Sequence, residues 1–282
     1  MDPLILHNDR ILPLQEARLS PGQVGLLMGW GVFTTLRIYR GQPFAFERHW
    51  ARMGRDAARL GVTFDYDQKR VRETIVELAR ANQRPEGMAR VSFVKNKGGL
   101  WEQAEGHPAT DLLVFTRELV SWPPGYRLRV QPMAIFSAGR HAGAKMLSWV
   151  SYASALGRAH ADGFHEVLFL NEKGQLAECS SANIFLVRGG RALTPPLASG
   201  CLPGVTREIL LEIAPKAGVE LVEQDLAPDD LSSAEEVFIS STTREVAGVE
   251  FISPNWNYKP PGPITQTLDR AFREYVKSQI GN

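Results

Sequence analysis

Two side chains invite the first question about chemistry: a lysine, Lys145, and a carboxylate 33 residues later, Glu178. Lys145 lies in GRHAGAKMLSWV, between a glycine-containing loop and a predicted helix. An amine in that position either faces a cleft, where it can act as a nucleophile, or is a solvated lysine like most others. Glu178 lies in GQLAECSSANIFLV, after the turn NEKG and before an apolar strand. It reads as a partly buried acid or as a strand-edge carboxylate paired with a nearby base. Gly204-Val205-Thr206-Arg207 opens a predicted helix. Such an opening offers unpaired N–H groups and a hydroxyl to a phosphate, or is simply capped. Ser240, Ser241, Thr242 and Thr243 follow an apolar strand, where hydroxyls can meet an anion or sit in a solvated turn. Arg52, one turn after His49, is either a planar anion fork or a surface helix arginine.

None of these is decisive alone, and their order is what matters. An arginine, a lysine, a carboxylate, a helix-start threonine and a hydroxyl cluster together make the kit that pyridoxal phosphate requires. A lysine forms a Schiff base with its aldehyde, and an acid keeps its ring nitrogen protonated so that the ring draws electrons. The remaining donors suit its phosphate.

The elements that must hold these residues follow from hydrophobic period. Residues 24–40 read as a glycine-rich turn and then a strand, VFTTLRIY. Phe46, Trp50, Met53, Ala57 and Leu60 recur at helical spacing over 46–60, and Val71, Ile75 and Leu78 do so over 67–81. MARVSFV (88–94) and DLLVFT (111–116) are strand-like. LVSWPPG (119–125) halts regular structure, and RLRVQPMAIF (127–136) opens a second unit. Further on, a helix is expected over 147–163, buried strands over 166–170, 183–187 and 236–240, and a helix over 204–218. A proline-rich loop over 254–263 precedes an amphipathic C-terminal helix. The expected fold class is α/β (α+β, two-domain). A smaller N-terminal domain would span 1–118, a linker 119–125, and a larger cofactor-binding domain 126–282.

Composition sets outer bounds. The chain has 282 residues, 44% hydrophobic and 22% charged, with a formal net charge of +1. This is ordinary globular composition, and it implies no bulk attraction to nucleic acid or anionic membrane. No run is long enough to span a bilayer, and the N-terminus does not read as a signal peptide. Cys179 and Cys201 have no metal-type spacing, so no metal site is expected and a reducing cytoplasm is the default.

Five blocks, in order, carry a family resemblance: GWGVFTTLRIYRGQPFAFERHWARM (29–53), GAKMLS (143–148), GFHEVLFLNEKGQLAECSSANIFLV (163–187), TPPLASGCLPGVTREIL (194–210) and FISSTTREV (238–246). The chain resembles the class IV aminotransferases, or fold-type IV pyridoxal-phosphate enzymes, a family that includes branched-chain and D-amino-acid aminotransferases and aminodeoxychorismate lyases. The resemblance implies that the cofactor lies between two domains and that the protein is a homodimer. It implies Lys145 as Schiff-base lysine and proton carrier, and Glu178 as partner of the ring nitrogen. Arg52, Val205, Thr206, Thr242 and the adjacent Ser241 would hold the phosphate, and Leu202 would pack on the ring. Phe33 lies where the family places an aromatic residue near the substrate.

Where branched-chain enzymes usually have glutamate, this chain has Thr34, which with Phe33 is a candidate substrate contact, and FTT is similar to the lyases. Leu147, Ser148, Trp149 and Val150 stand where many members carry asparagine or tyrosine. Arg90, on the 88–94 strand, and Lys95 and Lys97 are candidates for an acidic substrate, the two lysines also reading as solvated charges; Trp101 is a candidate pocket cap or a packing residue. The implied activity is amino transfer between an amino acid or amine and a 2-oxo acid. The alternatives are pyruvate elimination giving 4-aminobenzoate and, from a different class, a non-catalytic cofactor-binding protein.

Overall fold

The computed structural model describes residues 1–97 and 108–280, so Trp101 lies outside the described residues. Two compact units divide the chain. The first comprises Met1–Val120 together with Ala144–Trp149, and the second comprises Ser121–Gly143 and Val150–Asn282. The short segment that carries Lys145 therefore groups with the N-terminal unit.

The first unit begins with strands β1 (Leu4–His7) and β2 (Arg10–Pro13), then a one-turn helix α1 (Val24–Met28), where a plain turn was expected. Next come β3 (Gly31–Tyr39), β4 (Gln42–Pro43), helices α2 (Phe46–Leu60) and α3 (Gln68–Ala81), and strands β5 (Gly87–Lys95) and β6 (Thr110–Arg117). The strands form one sheet in the order β2-β1-β6-β5-β3-β4. Strand side chains alternate between faces. Val32, Leu36, Ile38, Ala89, Val91 and Phe93 accordingly join one core with Phe46, Met53, Ala57, Ile75 and Leu78 of the two helices. Each fully buried Leu, Ile or Phe contributes roughly 1.5–3 kcal/mol. The apolar stripe predicted for α2 is thus the stripe that docks it. Asp67 caps α3 by accepting the Arg70 N–H at 2.6 Å.

The register fixes what each sheet face presents. Phe33 opposes Ser92, Thr34 opposes Val91, and Thr35 opposes Arg90. Thr34 therefore shares the helix-covered face, while Phe33 and Arg90 share the other.

The second unit begins with β7 (Tyr126–Ile135), α4 (Val150–Ala161), β8 (Glu166–Asn171), β9 (Leu176–Cys179), β10 (Asn183–Arg188) and β11 (Arg191–Thr194). It continues with α5 (Val205–Ile213), β12 (Leu221–Glu223), β13 (Glu236–Ser241), β14 (Glu245–Ile252), β15 (Trp256–Asn257) and α6 (Pro263–Ile280). Its sheet runs β12-β11-β10-β13-β14-β7-β8-β9, with β15 paired to β14. β8 has apolar side chains on both faces, as a doubly covered strand must. Val167 and Phe169 pack with Ala155 and Ala159 of α4, whereas Leu168 and Leu170 enter the larger core with Leu128, Ile184 and Ile239.

Two predicted helices are shorter than expected. The 204–218 helix stops at Ile213 and continues as a 3₁₀ turn over Pro215–Ala217, because a proline has no N–H to continue the ladder. The 147–163 helix begins at Val150, since the residues before it are held by β3. Among the described residues, no helix is long and apolar enough to cross a membrane.

Candidate active site

In the first unit, Lys145 is placed by its backbone. The Phe33 N–H donates to the Lys145 carbonyl at 3.0 Å, and the Leu147 N–H donates to the Gly31 carbonyl at 2.9 Å. The 145–147 stretch so extends the free edge of β3. Two glycines permit this approach. A side chain at Gly31 would meet Leu147 Cδ1 at 2.5 Å as well as the Phe93 carbonyl oxygen of β5, and one at Gly29 would meet the Ser148 backbone at 2.9 Å. Gly29 also has φ +63°, a conformation that disfavours other residues. On the helix side, Asp56 Oδ2 accepts the Lys145 N–H at 3.1 Å.

The Lys145 side chain is half-buried against rings. Its Nζ lies 4.7 Å from the centroids of both Phe33 and Trp149, which meet edge to face at 5.5 Å. The Arg90 guanidinium stacks 3.7 Å from the Phe33 centroid. Burial pushes the Arg90 pKa down, and among the described residues no carboxylate pairs with it. Lys97 is exposed at the end of the described stretch, and Lys95 lies over the Trp30 ring at 3.8 Å. The structure thus gathers Lys145, Phe33 and Arg90, and leaves Lys97 on the surface.

Beneath them, α2 presents His49, Arg52 and Asp56, all buried. Positions three and four apart share a helix face. Arg52 Nη2 donates to Thr34 Oγ1 at 2.8 Å, and Thr34 Oγ1 contacts His49 Nδ1 at 2.7 Å. Arg52 Nη2 also lies 3.5 Å from Nδ1, so arginine and threonine can both donate to that ring nitrogen when the imidazole is neutral. Its pKa is held well below the ordinary value by burial first, then by the Arg52 and Lys145 charges. Burial pushes the Asp56 carboxyl up, partly offset by the Lys145 N–H and the Arg52 charge.

In the second unit, Glu178 is placed by its head group. It sits on β9 opposite Phe169 and is buried. Tyr152 Oη donates to Glu178 Oε1 at 3.1 Å, and the Leu202 N–H donates to Oε2 at 2.9 Å. The Tyr152 phenol is pushed up by burial, then by the Glu178 charge and their hydrogen bond. The Leu202 carbonyl accepts from Asn183 Nδ2 at 2.9 Å, which ties the carboxylate to the start of α5.

α5 starts at Val205 and Thr206, both buried, and its N-cap Gly204 supplies no side-chain cap. A side chain at Gly204 would collide with Asn183 Oδ1. Ser240 pairs with Asn183 across the sheet and so shares its face; its buried Oγ has no hydrogen-bond partner among the described residues. Ser241 Oγ accepts the Arg244 N–H at 3.3 Å in the turn that holds Thr242. Arg244 pairs with the fully buried Glu166 at 3.1 Å and donates to Ser181 Oγ at 2.8 Å. Glu166 in turn accepts from the Ser180 hydroxyl and, at 2.5 Å, from the Ser181 hydroxyl, just beyond Glu178.

Sequence reasoning missed Asp56 and Tyr152. Asp56 was findable as the third polar residue of one helix face after His49 and Arg52. Tyr152 gave no such signal, because its partner is set by how α4 lies on β8.

Comparison with known proteins identifies the family. A family model described as Amino-transferase class IV matches residues 31–252. A relative named as a branched-chain-amino-acid aminotransferase of Methanocaldococcus jannaschii is 28% identical over 278 residues, 96% of this chain and 95% of that protein. The D-alanine aminotransferase of Bacillus licheniformis is 24% identical, covering 98% of each. The branched-chain aminotransferase of the thermophilic archaeon Thermoproteus uzoniensis, solved with norvaline, superimposes with a TM-score of 0.90 at 26% identity, over 99% of this chain and 96% of that one.

Proposed function

The chain belongs to the class IV aminotransferase family and is an amino-transferring enzyme, and from that premise we propose that Lys145 and Glu178 hold pyridoxal 5'-phosphate for transfer between an amino acid and a 2-oxo acid. The donor set fits that group. A nine-residue helix opens without a side-chain cap, beside a buried hydroxyl, Ser240 Oγ, that lacks a partner among the described residues. Such a place suits a phosphate. When bound, the cofactor supplies an electron sink for charge developing at the substrate α-carbon.

The chain's own residues do the rest. Lys145 Nζ would be the covalent attachment point, and its amine would carry the proton to and from the substrate α-carbon. Glu178 accepts the ring N–H. The Val205 and Thr206 amides, the Thr206, Ser241 and Thr242 hydroxyls and the Arg52 guanidinium hold the phosphate, and Leu202 packs on the ring. Arg90 takes a substrate carboxylate beside Phe33, in keeping with a partly desolvated charge that no described carboxylate neutralises. Thr34 contributes by holding Arg52. The protein works as a cytoplasmic homodimer.

The observation that carries this reading is the Lys145 amine, backbone-pinned and set against two rings. Mixing the holoenzyme with an amino donor alone tests it. One equivalent of keto acid per site and an aminated cofactor are expected, with 2-oxoglutarate restoring the starting form. A panel of L-amino acids, D-amino acids and primary amines identifies the donor. Pyruvate release from aminodeoxychorismate without an acceptor, and no half-reaction with any donor, would replace the reading with a lyase.

A further inference from the structure

We propose that Tyr152 is a positioning residue that keeps the Glu178 carboxylate ionised and aimed, through its hydrogen bond to Oε1. The inference rests on the reading of Glu178 given above. A carboxylate has about four lone-pair sites. The Tyr152 hydroxyl takes one on Oε1 and the Leu202 amide takes one on Oε2. Both oxygens are therefore fixed in direction.

The two donors are not equivalent. The Leu202 amide is backbone and is present whatever the residue there. Tyr152 is a chosen side chain, and its ring is set by packing. It meets Phe169 edge to face, with centroids 5.0 Å apart, and Phe169 is the cross-strand partner of Glu178. The phenol oxygen thus reaches the carboxylate as a consequence of how α4 lies on β8. A charged carboxylate this buried needs donors, because burial favours its neutral form and hydrogen bonds to the charged form oppose that.

The titratable neighbours do not compete for this task. From the loop before α5, the Cys201 thiol is pushed up to about 11 by burial and by Glu178 itself. From β9, Cys179 is raised well above its ordinary value by burial. Both stay neutral near pH 7. The Glu166 charge on β8 is matched by Arg244 at 3.1 Å. Tyr152 remains a neutral donor across the working range, since burial and Glu178 raise its pKa.

The test is Tyr152→Phe in the holoenzyme, which keeps the ring on Phe169 and removes only the hydroxyl. We expect the acid limb of kcat/KM to move up by about one pH unit, as loss of a charge-assisted bond should do. Equilibrium dialysis across the limb should show the cofactor dissociation constant rising by up to about tenfold on its acid side and little on its alkaline side, following the same one-unit shift. A purely structural tyrosine would weaken the cofactor equally at all pH and leave the limb in place, and that result overturns the proposal. Tyr152→Leu covers a packing loss: it should lower thermal stability and still show the limb shift. Glu178→Gln separates the two levels. If it retains wild-type cofactor affinity and profile, the reading of Glu178 fails; if it collapses while Tyr152→Phe is unshifted, only the Tyr152 inference fails.

Discussion

Lys145 and Glu178 are held in opposite ways. The lysine is fixed at its backbone, by β3 on one side and Asp56 on the other, while its amine lies against the faces of two rings. The carboxylate is fixed at its head, with a donor on each oxygen. The difference matches the work proposed for each. A lysine that attaches, releases and carries a proton needs a fixed root and a tip that can move. An acid that holds one ring nitrogen must not move at all, and accurate geometry of this kind is worth several kcal/mol in enzymes.

The contrast can be broken from either end. The largest effect should come from Glu178→Gln, which keeps the shape but loses the negative charge. We expect kcat/KM to fall by roughly 10²–10⁴-fold, the range for removing a group that governs proton placement, with an unchanged circular dichroism spectrum. A loss of less than about threefold, well below that range, would separate Glu178 from the chemistry. Asp56→Ala removes the side-chain tie on the Lys145 backbone. Misplacement by about 1 Å can cost up to roughly 10²-fold, and we expect about tenfold in kcat with the cofactor still covalently attached. A wild-type kcat would mean that β3 alone fixes the lysine.

The smallest effect concerns the buried imidazole below the lysine. His49 has a lowered folded pKa, so between that value and its ordinary 6.5 the unfolded chain binds a proton that the folded chain refuses. Stability should therefore fall as pH drops below about 6.5, with a slope of up to ~1.4 kcal/mol per pH unit. His49→Gln should flatten the urea-unfolding free energy between pH 7 and pH 5 by about one proton's worth. An unchanged slope would remove His49 from the account.

Much of this was legible in the residues. Period alone delimited α2, because Phe46, Trp50, Met53, Ala57 and Leu60 leave one docking face. The blocks around Lys145 and Glu178 named the family that the comparisons support. Contacts that depend on packing across elements were not legible. Thr34 marks a departure from relatives in sequence, yet only the register of β3 on α2 shows it holding Arg52 and His49. The grouping of 144–149 with the first unit was equally hidden, since it depends on close backbone approach at Gly29 and Gly31. Tyr152 stands in a predicted helix like any other tyrosine until β8 and β9 bring Glu178 beneath it.

The central claim is that the amine against Phe33 and Trp149 is the one that carries the cofactor. Borohydride reduction of the holoenzyme followed by peptide mass analysis tests it directly. The account predicts one phosphopyridoxyl group per chain, on the peptide containing Lys145, and none on Lys145→Ala. An adduct on another lysine, or the same adduct in Lys145→Ala, would contradict it.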